Sequence, residues 1–395
     1  MTKIALINFF STRERGDAGI LLGTINGLME MGIDPIIYTY TPRVDREFMS
    51  HCYPNIEIRK AIIDPLVYKN RPLDIAEWLL IHFYSIVNYK NKFKLRNEFN
   101  LGISIGGGYL GGKYTGSIVP LLNIFLFKFL VGRLIIHSAS ISEIRSKILE
   151  LFHKCTLRLV DLAFARELYS YRLFRKLMSN NRVLKSFDAA FYMSLDYPVR
   201  DFVRELMELR EESGTTVGLC LKDVSRYEDW RHLYEIARII RWLIDKKRAT
   251  VLLIPQVVFP YFADDRRASY LIKKVVKREK LIAINKLLYP WEYVKLYNMM
   301  DLVISIRLHS VIYSIMGGTP VIGVAYEDKI KGTMEMMGLG KYVVDINSIS
   351  SENVKQMIDD ILNQRSALRN QIEKRLKIAK VYLRRDFRFI KKLCS

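Results

Sequence analysis

Four side chains in the last third of the chain could do chemistry together. They are Arg307, His309, Tyr326 and Lys329, inside the stretch DLVISIRLHSVIYSIMGGTPVIGVAYEDK. Two fixed cations suit an anionic substrate, the arginine as a planar fork and the lysine as a point charge. An imidazole beside them can give or take a proton near neutral pH. A phenol adds a hydrogen-bond donor. The expected chemistry is capture of an anion and proton transfer to it.

These residues need elements to position them. Asp301 to Ile306 is a short apolar run that reads as a buried strand. A helix pattern runs from Val311 to Met316, and Gly317-Gly318-Thr319-Pro320 stops it. Val321 to Val324 is a second strand, followed by Tyr326, Glu327, Asp328 and Lys329. In open α/β sheets ligands bind outside the carboxyl ends of the strands, so all four residues are expected at one edge.

The same pattern recurs along the chain. Lys3 to Phe9 is a first strand, Ile20 to Met31 a helix and Ile36 to Tyr40 a second strand. No GxGxxG follows the first strand, which argues against a dinucleotide fingerprint. Gly16 and Asp17 stand at the loop-to-helix junction. Asp17 either caps the helix or meets a substrate hydroxyl. Leu101 to Ile105 runs into Gly106, Gly107 and Gly108, either a ligand-facing loop or a tight turn under a helix. Leu134 to His137 is another strand, and His137 reads equally as a site residue or as a core histidine bonded to backbone. Arg166 ends a further strand, facing a ligand or paired with Glu167 on the surface. Ile75 to Asn88 reads as a helix.

The chain has 395 residues, 50% of them hydrophobic and 26% charged, which predicts a folded α/β protein of two domains. The expected division is 1–195, 196–363 and a basic terminal helix 364–395 that returns to the first lobe. Its stripe is Leu368, Ile372, Leu376, Ala379 and Leu383. A basic amphipathic helix also allows peripheral contact with an anionic membrane. The net charge of +21 favours anionic partners. No zinc-finger or RNA-recognition spacing accompanies it, so nucleic acid is not expected. Four scattered cysteines argue against a metal site or a disulfide framework and fit the cytoplasm. The amino terminus reads as a strand and not as a signal peptide. Ile118 to Ile136 is apolar enough to consider as a span, but Lys128, Gly132 and Arg133 make it a buried helix and strand.

The chain resembles the polysaccharide pyruvyltransferase family. The resemblance is carried by Arg307-Leu308-His309-Ser310, by Gly317 with Thr319-Pro320-Val321-Ile322, and by Tyr326 with Lys329. The Gly16-Asp17 pair, the triple glycine, Arg166-Glu167 and Asp188 match more thinly. At Ser138-Ala139-Ser140 the chain has serines where many members have a glycine-rich turn. The resemblance implies two Rossmann-like parallel-sheet lobes around a cleft, glycosyltransferase-B-like. It implies phosphoenolpyruvate as donor and no cofactor, with a sugar or lipid-linked saccharide as acceptor. His309 would be the acid. Arg307, Arg166, Lys329 and Tyr326 would bind the donor, and Asp17 and Gly106 to Gly108 would face the acceptor or form its loop. A nucleotide-sugar glycosyltransferase using Glu327 stays open, as does a non-catalytic assembly protein at the membrane surface.

Overall fold

The computed structural model describes residues 3–63, 95, 97–112, 118–144, 146–208, 214–223, 231–259 and 263–394. The helix expected over Ile75 to Asn88 lies outside them. The strands, in chain order, are β1 (Ile4–Phe9), β2 (Pro35–Thr39), β3 (Ile58–Lys60), β4 (Leu101–Ile105), β5 (Leu110–Gly112), β6 (Leu134–Ala139), β7 (Ile141–Ile144), β8 (Leu162–Ala165) and β9 (Val183–Lys185). They continue as β10 (Thr216–Cys220), β11 (Thr250–Leu253), β12 (Val258–Phe259), β13 (Ala263–Asp264), β14 (Leu281–Ala283), β15 (Leu302–Ser305), β16 (Val321–Ala325) and β17 (Val343–Asp345). The described α-helices are α1 (Arg15–Glu30), α2 (Pro42–Met49), α3 (Ile118–Val131), α4 (Lys147–Leu157), α5 (Leu168–Leu177), α6 (Asp201–Glu208) and α7 (Arg231–Lys247). After them come α8 (Asp265–Val276), α9 (Pro290–Asn298), α10 (Leu308–Met316), α11 (Asp328–Met336), α12 (Ser351–Asn363) and α13 (Arg365–Cys394).

The chain forms two compact units, an α/β fold with a parallel sheet in each. The first comprises Met1–Thr12, Ile20–Met193 and Val381–Ser395. The second comprises Arg13–Gly19 and Ser194–Lys380. In the first, seven parallel strands run in the order β3-β2-β1-β4-β6-β8-β9. Ile4 sits opposite Pro35 on one side and Leu101 on the other. β1 and β6 are buried along their whole length, which explains runs with little alternation. Helix α3 packs against β4, β6 and β1. Among the described residues no helix is long and apolar enough to cross a membrane. Gly132, at φ 86°, ends α3 and lets the chain turn into β6.

In the second unit six parallel strands run β14-β11-β10-β15-β16-β17. The chain builds outward from β10 through β11 to β14, then returns to the other side of β10 with β15. The order therefore reverses between β10 and β15, the kind of place where open α/β sheets bind ligands. β11 ends at Leu253. Pro255, two residues on, lacks an N–H for the ladder, and Gln256 lies outside the sheet.

The terminal helix α13 is 30 residues long. Leu368, Ile372 and Ala379 are buried in its part of the second unit, and Leu383, Phe387 and Ile390 in its part of the first. Leu376 is only half-buried.

Candidate active site

The site is built where β15 ends. The Ser305 hydroxyl donates to the Arg307 carbonyl (2.8 Å), and the Arg307 N–H donates to the same hydroxyl (3.0 Å). This small turn makes Arg307 the N-cap of α10, so the helix starts at Leu308 and not at Val311. His309 therefore lies in the first turn of a helix and not in a polar corner. Neither Arg307 nor Glu327, the N-cap of α11, caps its helix with its own side chain.

Asp265 fixes the Arg307 guanidinium. Nη2 donates to Oδ1 at 2.5 Å and Nε to Oδ2 at 3.2 Å. Asp265 is the first residue of α8 and is fully buried. It also accepts the backbone N–H groups of Gln256 (3.2 Å), Val257 (2.8 Å) and Asp223 (3.1 Å). One carboxylate thus ties together the segments that follow β10, β11 and β15. Burial works against the charge on Arg307, but Asp265 outweighs it and holds the guanidinium pKa above its ordinary value. Burial raises the Asp265 carboxyl, against the pull of Arg307 and the backbone donors.

The His309 imidazole lies against the backbone of Gly16. A Cβ added there would fall 2.0 Å from Nδ1, so only glycine leaves room for the ring. Three residues on, a Cβ at Gly19 would fall 2.2 Å from the Tyr313 hydroxyl, which donates to the Arg15 carbonyl (2.5 Å). Glycines at both positions let the start of α1 pass over His309 and Tyr313. Asp17, in the same first turn, is buried. On the other side of α10, the Gln256 carbonyl oxygen accepts the backbone N–H of Ser310 (3.1 Å) and its hydroxyl (3.1 Å), and Tyr297 donates to that hydroxyl (3.1 Å).

Beyond β16, Lys329 pairs with Glu327 at 2.6 Å and stands 5.8 Å from the centroid of the Tyr326 ring. Lys222, two residues past β10, stands 3.6 Å over the same ring. Burial, then repulsion from Arg307, lowers the Lys222 pKa to about 8, against the attraction of Glu327. Arg307, His309, Tyr326 and Lys329 thus share one carboxyl edge of the second unit. Lys222, Asp265 and Gln256 join them unannounced by the sequence reading. Each is a polar residue shortly after an apolar strand or opening a helix, and that signal was available.

The first unit holds the remaining expected residues. Arg166 donates from Nη1 to Asp188 (2.9 Å) and from Nε to Ser140 (2.7 Å), with its side chain only 2% exposed. Its partner is Asp188 and not Glu167, which caps α5 through the N–H groups of Tyr169 and Ser170. A Cβ at Gly106 would fall 1.6 Å from the Ser138 carbonyl, and Gly107 has φ 153° with the Tyr109 ring behind it. Packing accounts for these two glycines, while Gly108 is exposed. His137 is a core residue. It is fully buried between Phe164 and Phe387, and burial lowers its pKa to about 4. No hydrogen-bond partner for either ring nitrogen is found among the described residues, so the expected backbone bond is absent there.

The family model described as polysaccharide pyruvyl transferase matches residues 15–328. The amylovoran biosynthesis protein AmsJ of Erwinia amylovora is 21% identical over 407 residues, covering 94% of each chain. Among solved structures, a glycosyltransferase from Rickettsia africae superposes with a TM-score of 0.65 at 12% identity, over 100% of this chain and 98% of the other. The UDP-GlcNAc 2-epimerase of Methanocaldococcus jannaschii superposes with a TM-score of 0.63 at 14% identity, over 92% and 93%. An Anabaena protein solved with UDP-glucose, HepE, gives 0.62 at 12% identity, over 100% and 98%. At these identities the structural likeness speaks for the fold alone.

Proposed function

The chain belongs to the polysaccharide pyruvyl transferase family, and on that premise we propose that it moves the pyruvyl group of phosphoenolpyruvate onto a sugar as a cyclic ketal. Two acceptor hydroxyls bond to the central carbon of the donor and its phosphate leaves. The donor methylene gains one proton and becomes a methyl group. Of the two hydroxyl protons released, one restores the acid and the other leaves with phosphate.

His309 is the acid that protonates the methylene. Arg307 binds a donor anion through the edge that Asp265 does not occupy, and Lys329 and Tyr326 complete the donor set. The observation that carries this reading is the placement of His309 two residues from Arg307, at the edge where the sheet order reverses. Side chains neutralise the donor, and the reading needs no cofactor. Arg166 would have to leave a buried ion pair to bind donor, at a cost of about 3–5 kcal/mol. We therefore assign it to holding Ser140 and Asp188 in place. Asp17 and the loop of Gly106 to Gly108 remain candidates for the acceptor side. We place the enzyme in the cytoplasm, acting on a sugar or lipid-linked saccharide, without a nucleic-acid partner. The basic face of α13 suits peripheral contact with an anionic membrane.

Thermal-shift titration with phosphoenolpyruvate, UDP and nucleotide sugars tests the reading, because a ligand of the native state raises the melting point. Phosphoenolpyruvate should stabilise the protein, and Arg307→Ala should abolish the effect. His309→Gln should keep donor binding and lose at least about 100-fold in turnover. Full activity in a folded His309→Ala protein would remove the acid assignment. A second reading is nucleotide-sugar glycosyl transfer, favoured by the UDP-glucose bound to one structural relative. It uses Glu327, whose side chain is 49% exposed, and predicts stabilisation by UDP in place of phosphoenolpyruvate.

A further inference from the structure

Lys222 stands at the reversal of strand order, across from Arg307. Its strand, β10, pairs with β15 in register, Cys220 opposite Ser305, so the two residues leave adjacent strands at nearly the same level. The backbone that carries Lys222 is fixed from both sides. The Asp223 N–H donates to Asp265 (3.1 Å), and the Asp264 N–H donates to the Asp223 carboxylate (2.7 Å). The carboxylate that holds Arg307 therefore also sets the position of Lys222. The side chain crosses to β16 and places Nζ over the Tyr326 ring, where Lys329 approaches from the first turn of α11.

We propose that Lys222 is a ligand of the donor's phosphoryl group and that, with Lys329 and Arg307, it forms an oxyanion cradle around the Tyr326 ring. The inference rests on the donor reading above. Lys222 and Lys329 meet at one ring, and Lys222 also feels the repulsion of Arg307, which is unfavourable without an anion between them. An incoming dianion offsets that cost, so the strain becomes affinity. A lysine contributes a compact charge with three donors, suited to a rotating phosphoryl group, while the arginine fork suits a planar carboxylate.

The groups facing Lys222 set its pH behaviour. Asp223 lies beside it and pairs with Arg267 at 3.6 Å. Asp264 and Asp265 open α8, the first paired with Arg266 and the second with Arg307. Glu327 stands at the N-cap position of α11 and Lys329 in its first turn, and Glu14 acts on Arg307 from ahead of α1. With Lys222 titrating at about 8, donor affinity should fall above that pH. The donor phosphate, with a second pKa of about 6, is already a dianion there.

The test is equilibrium binding of phosphoenolpyruvate and of inorganic phosphate, below and above pH about 8, to wild type, Lys222→Met, Lys222→Arg and Arg307→Ala. Wild type should lose affinity above that pH. Lys222→Met should bind about 10- to 100-fold more weakly below it, as expected for loss of a charge-assisted bond, and should lose the pH slope. Lys222→Arg should restore binding without the slope, since a guanidinium stays charged. Unchanged affinity and slope in Lys222→Met, with binding lost in Arg307→Ala, would overturn the role of Lys222 and leave the donor reading intact. Lys222→Met that binds normally but does not turn over would also overturn it. Phosphate binding that depends on Lys222, without any response to phosphoenolpyruvate, would remove the donor reading while the cradle stands. A wild type that binds neither ligand would overturn the cradle.

Discussion

Asp265→Asn tests the hub on which the site depends. The carboxylate is fully buried and accepts five hydrogen bonds, two from Arg307 and one each from the backbone of Asp223, Gln256 and Val257. An amide cannot accept them all, because its NH2 would face a donor. Arg307, its side chain 13% exposed, would remain as a largely desolvated cation without its carboxylate. Removing one partner of a buried ion pair costs about 3–5 kcal/mol, and Arg307→Met should cost a similar amount by stranding the carboxylate. The two losses arise from one interaction, so the double variant should lose about 2–3 kcal/mol less than their sum. Urea denaturation followed by tryptophan fluorescence measures this, with Trp291 buried in the same unit. Additivity within about 0.5 kcal/mol would refute the coupling.

Two further predictions follow the same logic. Gly16→Ala should gain about 1 kcal/mol of helix propensity and lose about 1–3 kcal/mol to overlap with the His309 ring, for a small net loss of stability. Turnover should fall while donor binding survives, and a more stable, fully active variant would remove the contact. Asp386, fully buried beside Ser186 and Arg385, has its pKa pushed up from 3.8 to about 7 by burial. Between those values the folded state holds a proton that the unfolded chain releases, so stability falls as pH rises through the window, by about 4 kcal/mol at most. Melting curves against pH should flatten in Asp386→Asn, and parallel curves for the two proteins would exclude the assignment.

The fold class was legible because parallel strands buried on both faces leave apolar runs in sequence, and turns with glycine or proline separate them. Arg307 and His309 were legible because they follow one strand within three residues of each other. Asp265 was not, since it lies 42 positions from Arg307 and reads as an ordinary acidic residue opening a helix. Lys222 follows β10 as Lys329 follows β16, but the charged stretch after β10 has the composition of a solvent-facing loop. The start of α10 is hidden in sequence because the turn before it is closed by the Ser305 hydroxyl, two residues ahead of the N-cap, and not by the side chain of Arg307. Arg166 and Asp188, the two members of the buried pair, are each visible in the sequence as charged residues just past a strand. A one-dimensional reading has no means of joining Arg166 to Asp188 across two strands in place of its neighbour Glu167.

The split of α13 between the two units bears on synthesis. Phe387 packs against His137 and Tyr192, and a Cβ at Gly27 would strike its ring. Together with Leu383 and Ile390 it fills a core whose strands are made first. All of Ser194–Lys380 must be translated before Val381–Ser395 appears, which takes about 10–40 s at ordinary elongation rates. During that interval the nascent first unit has an open apolar face around His137 and Gly27. Folding from the amino terminus, the usual order on the ribosome, cannot finish here. Helix α13 closes a sheet whose strands are all made before it, so a ribosome stalled short of residue 381 would leave a sticky intermediate for chaperones to hold.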